Sequence, residues 1–270
     1  MSISEKRFAN EQLLVGTDWL AAHIDDPQLR LVEVTPPGSG YVLGHLPGAV
    51  HLDFDKVFTG RESAFPHGIG PAPEVAAVLG QLGLAPAQHV VIYDEIGGQR
   101  AAKTLWLLEY LGFPQVSVLE GGIERWLAEG RKLTRTLPKV QPQSFVPAIQ
   151  AERRATSDWI VSHLHDDHVI LIDCRTSDEF AEGHIPGALL RPWDQTLTRR
   201  AHQSFRAAAE LQAEFDALGV TEGREAVVYC GTGVRAAHTY LTLRLLGYSR
   251  VRNYDGSWAE WSAREDLPKA

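Results

Sequence analysis

The stretch "AVVYCGTGVRAAHTY" (residues 226–240) changes its periodicity halfway along. Ala226 to Tyr229 is a short β-branched apolar run, the signature of a buried strand. From Val234 onward the spacing becomes helical: Ala237, Leu241 and Leu245 recur every four residues, and Gly247 follows as a stop signal. Between strand and helix lie Cys230, two glycines and Arg235. A second stretch, "HVVIYDEIGGQRAA" (89–102), has the same layout. It places Asp94 opposite Cys230, in a loop one residue longer.

That correspondence extends outward in both directions. "TDWLAAHI" (17–24) returns as "SDWIVSHL" (157–164), "GHLPGA" (44–49) as "GHIPGA" (183–188), and "LGFPQVSVLEGGIERW" (111–126) as "LGYSRVRNYDGSWAEW" (246–261). The matches keep their order, at offsets that drift only from 140 to 135. A period this long means duplicated domains rather than a solenoid. The join falls in "TRTLPKVQPQSFVPAIQ" (134–150), where Pro138, Pro142 and Pro147 interrupt any periodicity. The expected organisation is a first half over 1–137, a linker over 138–150 and a second half over 151–270.

Each half alternates helix-like and strand-like segments. In the second, Thr156 or Ser157 can cap a helix reaching about Leu164, and "VILIDC" (169–174) reads as a buried strand. A helix through "SDEFAEG", a longer one near 205–218, the Cys230 strand and helix, a strand at "VRNY" (251–254) and a last helix from "GSWAEW" follow. Continuous apolar strands separated by helices need both sheet faces covered. Each half is therefore expected to be α/β, with a mostly parallel sheet flanked by helices on both faces. Ligands of such sheets bind beyond the carboxyl ends of the strands, where Cys230 sits.

Composition narrows the function. The 270 residues carry a formal net charge of −8, which argues against nucleic acid or an anionic membrane as partner. The polar start "MSISEKRFANEQ" has no signal-peptide core, and no apolar run approaches a membrane span. Two cysteines, Cys174 and Cys230, make neither a disulfide framework nor a thiolate metal site. A reducing, cytoplasmic setting with no metal or cofactor is expected.

The Cys230 loop carries the chemistry. Its backbone N–H groups and the first turn of the following helix can converge on the sulfur. Gly231 and Gly233 permit the positive φ of an anion-holding nest, and the helix dipole adds partial positive charge. These features favour a thiolate nucleophile over an inert buried cysteine. Arg235 can neutralise an incoming anion or turn to an acidic neighbour. Cysteine phosphatases place five residues between thiolate and arginine. Only four separate Cys230 from Arg235, a tighter loop suited to something smaller than phosphate, such as one added sulfur atom.

The duplicated halves, both "H-[LI]-P-G-A" turns, "LIDCR", "CGTGVRA" and "DGSWAEW" together resemble the rhodanese family of sulfurtransferases in its tandem-domain form, over roughly residues 10–265. The resemblance implies two rhodanese-like domains and a ping-pong reaction. Cys230 would carry a persulfide, and the amides from Gly231, Thr232, Gly233, Val234 and Arg235 would hold the persulfide and the donor. Asp94 cannot serve as a sulfur nucleophile, so the first half would be structural or line the cleft. Arg175 matches a position that often contacts an anionic donor. Its alternative is a salt bridge with Asp173 or Glu179.

His45 and His184 precede Pro-Gly-Ala turns and are expected to make structural hydrogen bonds. Cys174 reads as packing, with redox pairing as an alternative, and Trp126, Trp258 and Trp261 read as core. The donor is expected to be thiosulfate, with 3-mercaptopyruvate as the alternative. Thr232 suits the latter, but its enzymes carry a second arginine where Asp178-Glu179-Phe180 stands here, and the first half shows no obvious hydroxyl relay around His45. Cyanide, or a thiol such as that of a thioredoxin-like protein, would accept the sulfur, and a monomer suffices. A cysteine phosphatase or arsenate reductase, and a non-catalytic sulfur-handling module, are the competing classes.

Overall fold

The computed structural model describes residues 2–58, 65–198 and 203–270. The first half runs α1 (Ile3–Lys6), β1 (Leu14–Val15), α2 (Thr17–His23), β2 (Leu29–Thr35), β3 (Val50–Asp53), α3 (Phe54–Phe58), α4 (Ala72–Gln81), β4 (His89–Tyr93), α5 (Gln99–Tyr110), β5 (Val116–Leu119) and α6 (Gly122–Ala128). The second runs β6 (Arg154–Ala155), α7 (Ser157–Ser162), β7 (Val169–Asp173), α8 (Ser177–Ala181), β8 (Leu189–Leu190), α9 (Ala208–Ala217), β9 (Glu225–Tyr229), α10 (Val234–Leu245), β10 (Val251–Tyr254) and α11 (Ser257–Ala263).

The strands form two five-stranded sheets, ordered β1-β5-β4-β2-β3 and β6-β10-β9-β7-β8. Every strand pair is parallel, and the second order repeats the first position for position. In β4 and β9 the last four residues are buried, as strands sandwiched between helix layers require. One apolar cluster on each side belongs to a single half. A third, containing Leu105 and Trp106 of α5 with Tyr240 and Leu241 of α10, is continuous through both halves. The α5 and α10 helices, equivalent in the repeat, pack against each other at its centre.

Local signals place most elements. Thr156 caps α7 by accepting from the Trp159 amide, though the helix ends at Ser162, short of the expected Leu164. Thr176 and Glu179 form a reciprocal capping box on α8. The helix expected near 205–218 spans Ala208–Ala217. Residues 138–150 carry neither helix nor strand and are tied to the first half by backbone bonds such as Gln143 N–H to the Gly80 carbonyl. The strand through "VILIDC" ends at Asp173. Cys174 lies one residue beyond it, donating its amide to the Tyr229 carbonyl at 2.8 Å.

The two His-x-Pro-Gly-Ala turns are pinned identically. The Leu46 amide donates to the Tyr93 hydroxyl at 3.0 Å, and the Ile185 amide to the Tyr229 hydroxyl at 3.1 Å. His45 and His184 bond the carbonyls of Tyr41 and Phe180 through Nδ1 and stack on those rings, the structural role expected of them. No helix among the described residues is long and apolar enough to cross a membrane.

Candidate functional site

Cys230 follows the last residue of β9 and is 1% exposed. Its amide donates to Ser257 Oγ at 3.1 Å, and its carbonyl accepts from the Trp258 amide at 2.9 Å. The first turn of α11 therefore anchors the start of the loop. Gly233 ends the loop as the N-cap of α10 with φ +74°. A Cβ there would stand 2.7 Å from Asp255 Cα and 3.0 Å from Lys103 Nζ, so both conformation and space demand glycine. Gly231 departs from expectation. It is not among the positive-φ residues, and its missing Cβ instead leaves room for the Arg235 Nη2, which would lie 3.1 Å away.

Arg235, in the first turn of α10, reaches to Glu179 of α8, with Nη1 and Nη2 each 2.7 Å from a carboxylate oxygen. This fork holds the Glu179 carboxyl down at about 2, while the guanidinium stays beside Cys230. The acidic neighbour thus takes the geometry of this arginine. Glu179 occupies the region where the family resemblance would place a second donor-binding arginine.

Arg175 settles between its two readings. Its Nε and Nη2 lie on the Asp173 carboxylate at 2.7–3.0 Å, Nη2 also donates to the Gly183 carbonyl at 2.6 Å, and the guanidinium lies 4.8 Å from the Trp258 ring centroid. With the side chain 3% exposed, the salt bridge describes its position better than a donor contact does. Trp258 is only partly buried, unlike the core residues Trp126 and Trp261. Cys174 is fully buried, and burial pushes its thiol far up, consistent with packing.

Two residues of the first half enter the site unannounced by the motifs. His67 Nδ1 lies 3.0 Å from Thr232 Oγ1, with Asp55 as the acid whose charge favours the protonated ring. The imidazole beside the loop hydroxyl is therefore His67, not His45, and Asp55 stands a dozen residues before it. Lys103, on α5 and fully buried, donates from Nζ to the Thr232 carbonyl at 3.0 Å. Burial lowers its ammonium to about 8, with Asp255 and Cys230 pulling the other way. The repeat offered one clue: Lys103 stands opposite the helical His238.

The first-half loop is occupied by its own side chain. Asp94 Oδ1 accepts from the amides of Ile96 (3.0 Å) and Gly98 (2.8 Å), and Oδ2 from Ala101 (3.0 Å). Burial raises this carboxyl and the amide bonds oppose the rise. The strand–loop–helix corner thus holds a carboxyl group on backbone N–H groups.

Comparison with known proteins agrees with this geometry. The Rhodanese-like domain model matches residues 16–129 and again 156–264. The chain is 32% identical to the sulfur carrier protein TtuD of Thermus thermophilus, covering 97% of this chain and 98% of that one. It is also 32% identical to the thiosulfate sulfurtransferase of Azotobacter vinelandii, with the same coverage. The crystal structure of SseA from Escherichia coli, described as a 3-mercaptopyruvate sulfotransferase with the rhodanese fold, superposes with a TM-score of 0.81 at 32% identity over 91% of this chain and 98% of that one. With a duplicated sheet, a cysteine loop in one copy and a carboxylate loop in the other, this chain belongs to the rhodanese family in its tandem-domain form.

Proposed function

We propose that Cys230 is the sulfur carrier of a sulfurtransferase that takes its sulfur from thiosulfate. The chain is an enzyme of the sulfurtransferase class, as its relatives are. One observation carries the assignment of the carrier: Asp94, the residue equivalent to Cys230, has its carboxylate oxygens bound by backbone amides. A carboxylate oxygen lies two bonds beyond Cβ, as the outer sulfur of a cysteine persulfide does. Gly98 and Ala101 correspond to Gly233 and Ala236 in the repeat, so the amides that would meet a persulfide are the counterparts of those that meet Asp94.

In this reading the Cys230 thiolate attacks the outer sulfur of thiosulfate. The S–S bond breaks, and sulfite leaves with the electron pair. Cyanide or a thiolate then attacks the outer sulfur of the persulfide and restores the Cys230 thiolate. The amides of Gly231 to Arg235, the Arg235 guanidinium and the start of α10 balance the anionic charge. Arg175 braces the neighbouring strand end through Asp173. A thioredoxin-like dithiol is a suitable acceptor, a monomer contains the whole site, and a cytoplasmic setting suits two free thiols.

A specific observation favours 3-mercaptopyruvate as the second donor. Breaking its C–S bond leaves an enolate that must gain a proton, and the Thr232 hydroxyl with His67 behind it is a proton path beside the sulfur. Sulfite needs no such proton.

Intact mass after brief incubation with each donor, without reductant, tests the reading. A gain of one sulfur atom, lost on adding cyanide and absent in Cys230→Ser, is the expected result, and the faster donor identifies the substrate. No gain with either donor overturns the proposal. Hydrolysis of a phosphate ester or reduction of arsenate would then direct attention to the competing class.

A further inference from the structure

The half without a nucleophile contributes a buried cation to the half that has one. Lys103 is carried by α5, yet its Nζ contacts the catalytic loop at the Thr232 carbonyl and would touch a Cβ at Gly233. Burying an ammonium is costly unless an anion compensates it. The carboxylate that acts most on it, Asp255, is already held by the Arg154 fork at 2.8 and 3.2 Å and by the Ile69 amide at 3.2 Å. Among the described residues Lys103 forms no salt bridge of its own, and its remaining surroundings include the Phe58 and Trp106 rings, 5.4 and 5.8 Å from Nζ. The anion still missing from this arrangement is the one that forms on Cys230.

The duplicated half supplies the contrast. The repeat position equivalent to Lys103 is His238, likewise fully buried and facing the other loop, with its ring 3.8 Å from where a Cβ on Gly98 would stand. Burial and the Arg191 charge lower His238 to about 3, so it is neutral at pH 7. The loop already filled by a carboxylate and its own amides faces a neutral ring. The loop that must gain and lose an anion faces an ammonium.

We infer that Lys103 is a positioning residue for sulfur transfer, supplied across the domain interface, which fixes the Thr232 carbonyl and balances the charge of the Cys230 persulfide and of the anionic donor. This deepens the sulfurtransferase reading and rests on it. It also gives the first half a reason to persist without a nucleophile, since the second half alone would lack this charge.

The test is steady-state sulfur transfer from thiosulfate between pH 6.5 and 9.5 for the wild type, Lys103→Met, Lys103→Gln and, as an interface control, Glu109→Gln. Glu109 pairs with Arg244 between α5 and α10, away from the loop. The groups facing Lys103 are Asp255, Arg154, Cys230 and His67. Of these it is Lys103 itself whose neutralisation near pH 8 would weaken anion binding. The wild-type KM is expected to rise through pH 8. Lys103→Met should raise KM at pH 7 about tenfold or more, the scale of one charge-assisted contact, and abolish that alkaline rise. Lys103→Gln keeps a donor for Thr232 without the charge and should behave likewise, and Glu109→Gln should follow the wild type. A flat wild-type KM from pH 7 to 9.5 overturns the inference even if neither Lys103 variant folds, as does an unchanged alkaline rise in either variant. Failure of the wild type to load sulfur at all would instead overturn the underlying reading.

Discussion

Lys103 and His238 hold equivalent places five residues beyond the N-cap glycines of α5 and α10, and each faces the loop of the opposite half. Their charges differ because their loops differ. His238 bonds Thr196 Oγ1 through Nδ1 at 3.1 Å and stacks on Phe205 at 4.8 Å, and among the described residues its Nε2 has no hydrogen-bond partner.

That neutral ring makes acid stability predictable in sign. His238 titrates at about 3 in the folded chain against an ordinary 6.5. Its contribution is fully present above pH 6.5 and is lost progressively as pH falls from 6.5 toward 3. This single group can steepen the decline by as much as about 1.4 kcal/mol per pH unit. Urea unfolding at pH 7, 6, 5 and 4 should show a shallower loss for His238→Leu than for the wild type. Equal slopes would remove His238 from the explanation.

Glu179 gives a second acid window, lower on the scale. The Arg235 fork holds its carboxyl at about 2, below the ordinary 4.5. The pair's contribution is therefore present above pH 4.5 and fades as pH falls from 4.5 to 2. Glu179→Gln should flatten that limb of the stability curve. It should also release the Arg235 guanidinium toward the loop and lower the KM for dianionic thiosulfate at pH 7. An unchanged KM would mean that the guanidinium keeps its place without its partner.

The Thr232–His67 contact separates the two donors. Proton delivery by a positioned group contributes roughly 10²- to 10⁴-fold, and only the enolate leaving group needs it. Thr232→Val should therefore cut turnover of 3-mercaptopyruvate by about 10²-fold or more and leave thiosulfate turnover near its starting value. Equal losses with both donors would indicate that the hydroxyl shapes the loop rather than moving a proton.

What could be read from the sequence follows from how local each signal is. The strand-to-helix change around Cys230, the matching change at Asp94 and the four ordered repeats are properties of contiguous residues, and the parallel sheets follow from them. Arg175 remained open between donor and Asp173 because both sit where β7 ends, beyond the reach of periodicity. His67 and Lys103 are not legible in the sequence because each meets a loop more than a hundred residues away. No spacing rule links Lys103 to Thr232; only the packing of α5 on α10 does. The role of Gly231 is hidden for a related reason, since it depends on where the Arg235 side chain lies.

Arg175 offers the cleanest separation of bracing from binding. Asp173 is wholly buried, and besides the guanidinium it accepts the Arg175 amide at 2.9 Å. Removing the arginine strands a buried carboxylate, a change that costs about 3–5 kcal/mol. Arg175→Met should lose stability on that scale in urea unfolding at pH 7, yet the fraction that stays folded should bind thiosulfate with a KM within about twofold of the wild type, well under the tenfold that a lost charge-assisted contact would give. A donor contact would produce the reverse pattern, a raised KM in a protein of nearly normal stability. Replacing Asp173 by Asn in the same background refines the choice. If the pair is a brace, the second change should recover part of the lost stability, because the unpaired charge is gone. If Arg175 serves the donor, Asp173→Asn should leave the KM defect of Arg175→Met where it was.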